Sequence, residues 1–298
     1  MAGEPPDGSA RQRRRRELEG ARRLRLEEAE AGREQAEGAA RRRFNGAMAV
    51  AADEGGAPRH AETLRQLRGA EITGIGRVVY SSNAVFLLEL AARDPVDPSR
   101  PLRAIYKPMR GERPLWDFPT GTLHLREAAA YIADAALELG HVPPTTLRDG
   151  PLGPGSVQQF IDVIDRRLDT DEQRALDPAL RSIAALDVVL NNADRKSAHL
   201  LVAGTGVFAI DNALSFLASP RQRTVLLELG GAPFPDAVSS AMAALAGDAH
   251  RRAGLRRHLR RLLHGSEVIA FERRLEALVR RPVYPRLDPW EGRPFEWW

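Results

Sequence analysis

Two lysines stand out in this sequence because the other 42 of its 44 basic residues are arginine. Lys107 ends the apolar run "AIYK" and Lys196 lies in the polar cluster "NNADRKSAH". A lysine ammonium is a compact point charge on a flexible stem, which arginine's planar fork does not replace on a phosphate chain. Glu127 follows Lys107 by twenty residues, within a helical pattern. Asp194 precedes Lys196 by two residues, and Asp211 follows Asp194 by 17, at the end of the run "VFAI". Moving a phosphoryl group requires few covalent participants. It needs a cation on the phosphates, a carboxylate to orient that cation, a carboxylate on a hard metal, and a carboxylate at the attacking hydroxyl. The five residues match those needs in order: Lys107 held by Glu127, Asp194 at the acceptor hydroxyl, Lys196 on the transferred charge, and Asp211 on Mg²⁺.

These residues need two kinds of scaffold. "EITGIGRVVYSSNAVFLLELAA" reads as two strands around a polar turn, and "RAIYKPM" as a short strand ending at proline. "LREAAAYIADAALELG" is a helix that stops at Gly140, with Glu127 on its first turn. "TTLRDGPLGPGSVQQFIDVID" suggests a hairpin followed by a strand. From about Asp169 the pattern is mostly helical, interrupted by two short strands around the Gly-Thr-Gly turn of "HLLVAGTGVFAIDNALSF". Strands with one helix, then helices with a small hairpin, predict an α+β protein of two lobes with a seam near 157–165. The expected division is a tail over 1–60, a sheet-rich nucleotide-binding lobe over 70–160, and a helical lobe over 161–298. The tail is rich in Arg, Glu and Ala and is expected to be solvated and partly helical, because it has too few apolar residues for a core-packing stripe.

Composition narrows the classes. No stretch of about 18 uncharged apolar residues occurs, so no membrane span is expected. The first residues lack an apolar core for a secretory signal, and cysteine is absent, which predicts a cytoplasmic protein without disulfides or thiolate metal sites. There is no G-x-x-x-x-G-K-[ST] loop, no H-E-x-x-H, and no dinucleotide fingerprint, since "GIGRVV" lacks the third glycine.

"AIYKP", "GERPLWDFP", "REAAAY", "NNADRKSAH" and "FAIDNALSF", with the spaced "VPPT", "LRDGP" and "GPG", together resemble the actinobacterial phosphatidylinositol 3/4-kinase-like family. That family is similar at the level of fold to lipid kinases and HipA-like kinases, and the resemblance covers roughly residues 70–290. It implies a protein-kinase-like fold and an ATP-dependent phosphotransferase using Mg²⁺ or Mn²⁺ on a hydroxyl of a lipid, protein or metabolite. It further implies that Gln159, Phe160 and Ile161 form the hinge that meets adenine, and that Ser81, Ser82 and Asn83 turn over the phosphates. His199 stands where the general kinase pattern has a metal-binding asparagine, so it joins Asp211 as a candidate ligand. Imidazole suits softer divalent metals better than Mg²⁺. Ala213 replaces the usual glycine after the metal-binding aspartate. These two departures motivate the alternative of a non-catalytic nucleotide-binding pseudokinase. Transfer of another part of the nucleotide, such as AMP, is a variant on the same fold. A third reading is a nucleic-acid tether through the arginine clusters at 13–16 and 41–43.

Overall fold

Alternation along one strand decides where Lys107 points. In Pro101–Pro108 every second residue is buried, so Leu102, Ala104 and Tyr106 face one way and Lys107 the other. The computed structural model describes residues 38–39, 41–42, 44–45, 60–78 and 83–295. The strand belongs to a five-stranded antiparallel sheet: β1 (Ile72–Arg77), β2 (Phe86–Arg93), β3 (Pro101–Pro108), β4 (Thr145–Gly150) and β5 (Gly153–Gln159), in spatial order β1-β2-β3-β5-β4. Its core face buries Leu88, Leu90, Leu102, Ala104, Tyr106 and Val157. Leu67 completes that cluster from α1 (Ala61–Gly69), a short helix before Glu71, where the sequence reading began the globular part.

Gly155, opposite Pro108 on β5, is required by the ring of Tyr106. A Cβ there would lie 2.5 Å from the Tyr106 ring and 2.6 Å from the Lys107 carbonyl oxygen. Gly155 of the "GPG" run therefore lets β5 close against the strand that carries Lys107.

α2 (Leu123–Leu137) is buried on nearly all sides, which its run of alanines permits. It starts two residues before the expected helix, so Glu127 sits just past the first turn. It ends at Glu138, which adopts φ of 58°, and Gly140 is left in the connection. Glu112 supplies the N-terminal cap from the irregular "GERPLWDFP" loop. Its carboxylate accepts from the Leu123 and His124 amides at 3.1 and 2.8 Å and faces His124 Nδ1 at 2.6 Å.

After β5 the chain crosses between lobes. The crossing segment is not a further strand, although a strand was expected after the hairpin. Phe160 N–H bonds the Arg103 carbonyl at 3.0 Å, and Ile164 N–H bonds the Val202 carbonyl at 2.9 Å. The helical lobe follows: α3 (Thr170–Ala175), α4 (Asp177–Leu190), the hairpin β6 (Leu200–Ala203) and β7 (Gly206–Ala209), then α5 (Asp236–Gly247), α6 (Ala249–Leu262) and α7 (Gly265–Arg280). The main core joins α2 and α4 to α5, α6 and α7 through Leu125, Ala129, Leu186, Met242, Leu259 and Phe271. The sheet lobe, the helix between and the helical lobe with its small hairpin give the expected two-lobed, protein-kinase-like α+β arrangement. Among the described residues of the tail, Phe44 is buried against the main core, and Arg41 pairs with Asp149 at 2.9 Å. The rest of the tail, including the cluster at 13–16, lies outside the described residues.

Candidate active site

Three elements deliver charge to one point between the lobes. Lys107 Nζ reaches across from β3 to Glu127 Oε1 on α2 at 2.5 Å, and it also contacts Asp211 Oδ1 beyond β7. The second oxygen of Glu127 accepts the Asn212 amide at 3.1 Å. Glu127 is thus a bridge between the strand lysine and the loop that carries Asp211. It is buried, while Asp211 keeps 43% of its side-chain surface exposed, enough to meet a ligand.

The Asp211 backbone is in the left-handed region, with φ of 55°. Aspartate tolerates this better than most residues, at a cost of about 1–2 kcal/mol. Bonds on both sides hold it there: Ile210 N–H to the His199 carbonyl at 3.0 Å, and Asn212 N–H to Glu127. The conformation turns the carboxylate back toward Lys107.

His199 Nε2 lies 3.3 Å from Asp211 Oδ2, and Nδ1 lies 3.4 Å from the Lys196 amide. Burial keeps the imidazole below its ordinary pKa range, and Asp211 reverses this only in part. Burial opposes charge on Lys107 too, but Asp211 and then Glu127 outweigh it and its pKa is raised. Burial pushes Asp211 up, and Lys107 and His199 more than reverse the push, so its carboxyl is held well below the usual range. The site therefore contains an ammonium, the Asp211 carboxylate and a neutral imidazole, with the acid Glu127 beside them. Two acids share one ammonium, so a further cation is favoured there.

Asp194 and Lys196 pair with each other at 2.9 Å beside His199. Their loop leaves α4 at Asn191, which has φ of 54° and whose amide side chain bonds the Leu217 and Ser219 carbonyls at 2.9 and 2.7 Å. What fixes the loop is a network that sequence reasoning missed. Arg195 and Asp187 are both fully buried and joined by two bonds of 2.8 and 2.9 Å. Arg195 also donates to the Ile210 carbonyl at 2.7 Å and to Asn212 Oδ1 at 2.6 Å. Asp187 further accepts from Asn192 Nδ2 at 3.0 Å, and Asn192 Oδ1 accepts the Asp194 amide at 2.9 Å. One guanidinium thus ties the Asp194 loop to the Asp211 loop. Its sequence signal was a lone acid inside the apolar run Ile183–Leu190. Arg126, also missed, is buried and bonds the Ser215 carbonyl and Glu267 at 2.5 Å each, anchoring α2 to α7.

The remaining expected residues are placed as follows. Gln159 ends β5 and donates its amide to the Pro144 carbonyl at 2.9 Å, and Phe160 N–H is also used. Of the three residues expected to form the hinge, Ile161 alone has an amide with no hydrogen-bond partner among the described residues. Asn83 Oδ1 accepts the Arg113 amide at 3.0 Å, so its side chain anchors the loop after β3. Ser81 and Ser82 lie outside the described residues. Among the described residues no three His, Asp or Glu side chains gather as a metal site; Asp211 and His199 form a pair. A pair suits a cation that takes its other ligands from phosphates and water, as Mg²⁺ does, and its imidazole member suits a softer ion. No helix among the described residues is long and apolar enough to cross a membrane.

No family model matches the chain. Among solved structures it is similar to the Golgi casein kinase with Mn and ADP bound, at 15% identity, 74% of each chain and a TM-score of 0.49. Hydra Fam20 with sugar gives 16% identity over 73% of this chain and 87% of that one, with a TM-score of 0.49. The Helicobacter pylori proinflammatory kinase CtkA gives 9% over 73% and 94%, with a TM-score of 0.44. In sequence, the chain is 35% identical over 278 residues to protein Rv2133c of Mycobacterium tuberculosis, covering 80% of this chain and 97% of that protein. With so much of both chains aligned at that identity, this protein belongs to the family of Rv2133c.

Proposed function

We propose that the protein transfers the terminal phosphoryl group of ATP to a hydroxyl acceptor, with Mg²⁺ or Mn²⁺ bound. The observation that carries this reading is the contact of Lys107 Nζ with Glu127 and Asp211 together, across more than a hundred residues of chain. Lys107 holds the phosphates and Glu127 keeps it extended toward them. Asp211, with His199, holds the metal, which offsets charge on the phosphates. Ile161 offers the hinge amide to adenine, and Ser81, Ser82 and Asn83 are assigned to the phosphates. Asp194 orients the acceptor hydroxyl and takes its proton as the new oxygen–phosphorus bond forms. The bond between the terminal phosphorus and its bridging oxygen breaks, and ADP leaves with that oxygen. Lys196 stabilises the moving charge. The acceptor class stays as the sequence resemblance implies it, a hydroxyl of a lipid, a protein or a metabolite.

A thermal shift with ATP and Mn²⁺ tests the binding half. Wild type should be stabilised, whereas Lys107→Ala and Asp211→Ala should lose most of the shift. Asp194→Asn should keep the shift and lose transfer; full transfer by that variant removes Asp194 from its role. His199 in the place of a metal-binding asparagine favours a second reading, a nucleotide-binding module that transfers nothing. Radiolabelled phosphate reaching any acceptor would exclude it, and mass spectrometry of the product would show whether AMP moves instead.

A further inference from the structure

A groove of about 1160 Å³ opens on the helical lobe between the end of α4, residues 218–223, α7 and the segment after Pro285. Arg221, Arg223, Arg273 and Arg274 line it. Arg221 is shared with the loop after β3, lying 4.7 Å above the Trp116 ring and 3.9 Å from Asp117. Among the described residues no ion pair reaches Arg223, Arg273 or Arg274. Two acids lie in the same lining. Asp288 turns its Oδ1 onto the Trp290 and Glu291 amides at 2.8 and 2.9 Å. Glu291 meets Arg223 through its backbone carbonyl at 3.1 Å. The arginines thus outnumber the acids two to one.

Arg274 is the most telling of the four. Its Nε and Nη1 bond the Val189 and Leu217 carbonyls at 3.1 and 3.3 Å, which fixes the guanidinium. Its Nη2 is buried and has no hydrogen-bond partner among the described residues. Burial, with no acid opposing it, pushes its pKa down to about 10. Val188, Ile269 and Leu287 give the groove apolar wall as well. Its volume far exceeds that of one ion, since a water takes about 30 Å³.

The groove is joined to the Asp194 loop. Asn191, three residues before Asp194, is part of its lining. Arg223 N–H bonds the Asn192 carbonyl at 2.9 Å, and the Arg195 N–H bonds the Arg223 carbonyl at 3.0 Å. We propose that this groove is the acceptor site, and that it takes a phosphate-bearing molecule with an apolar portion, gripped by Arg223, Arg273 and Arg274. The acceptor role rests on the phosphotransferase reading above. Arginine's fork matches phosphate oxygens two at a time, which is the geometry such recognition uses.

The test uses the full chain and two probes of one chemistry. Glycerol 3-phosphate is titrated by calorimetry. Phosphatidylcholine vesicles, with and without phosphatidic acid, are co-sedimented with the protein. Wild type should bind at least one phosphate probe, and more weakly as salt rises. Binding of glycerol 3-phosphate points to a soluble acceptor; binding only to the doped vesicles points to a lipid headgroup. Arg223→Gln with Arg273→Gln should weaken probe binding at least tenfold and keep the ATP–Mn²⁺ thermal shift. Lys107→Ala should do the reverse. The proposal is overturned if wild type binds neither probe, if the double variant binds like wild type, or if Lys107→Ala abolishes probe binding. Wild-type probe binding without any nucleotide shift would overturn the acceptor role through failure of the phosphotransferase reading itself.

Discussion

Replacing Arg195 with methionine removes the guanidinium that joins the two loops while keeping an unbranched side chain in its place. The loss is larger than four hydrogen bonds. Asp187 is fully buried, and without Arg195 its carboxylate keeps, among the described residues, only the side-chain amide of Asn192 as a hydrogen-bond partner. Breaking one side of a buried pair costs about 3–5 kcal/mol, because the other charge is stranded. At roughly 2–4 °C per kcal/mol for a domain of this size, the melting temperature should fall on the order of 10 °C. Asp187→Leu alone should cost a similar amount by stranding Arg195. The double variant is the decisive measurement, since it removes both charges together and strands neither. It should be more stable than either single variant, with a coupling energy of about 2 kcal/mol or more. Chemical denaturation of the four proteins reads this directly. Additive losses in the double variant would show that the pair does not interact as the geometry requires, and the account of how the Asp194 loop is held would fail.

Two further substitutions probe the supports of Lys107 and Glu127. Glu112→Gln keeps the shape of the α2 cap but removes its charge from the helix N-terminus and from His124; unfolding should become easier by about 1–2 kcal/mol, read by denaturant midpoint. Gly155→Ala would put a methyl group 2.5 Å from the Tyr106 ring; it should cost about 1–3 kcal/mol and also weaken the ATP–Mn²⁺ shift, because the displaced strand is the one holding Lys107.

The groups that meet Lys107 were legible because each lies in a distinct local pattern. A lysine ends an apolar strand, an acid sits on an alanine-rich helix, and a second acid ends a hairpin. Their order along the chain was enough to predict that they converge. Asp187, Arg195 and Arg126 were not legible, because a buried charge and an exposed one look alike until the partner is known. Arg195 lies between Asp194 and Lys196 in the polar cluster "NNADRKSAH", where nothing set it apart, yet it is fully buried. Only the lone acid inside Ile183–Leu190 hinted at a paired interior charge. Helix α1 escaped for a related reason: its two core leucines, Leu64 and Leu67, make too short an apolar stripe to stand out beside the charged tail. The start of α2 was misplaced because its cap, Glu112, is eleven residues away across an irregular loop.

The Arg126 anchor bears on how the protein can breathe. Through Glu267 and the Ser215 carbonyl, α2 is riveted to the large lobe. A helix held this way stays behind when the cleft widens. In any widening of the cleft about that anchor, the sheet would be the part that moves, and the Lys107 ammonium would have to part from Glu127 and Asp211, which sit on the side held by the large lobe.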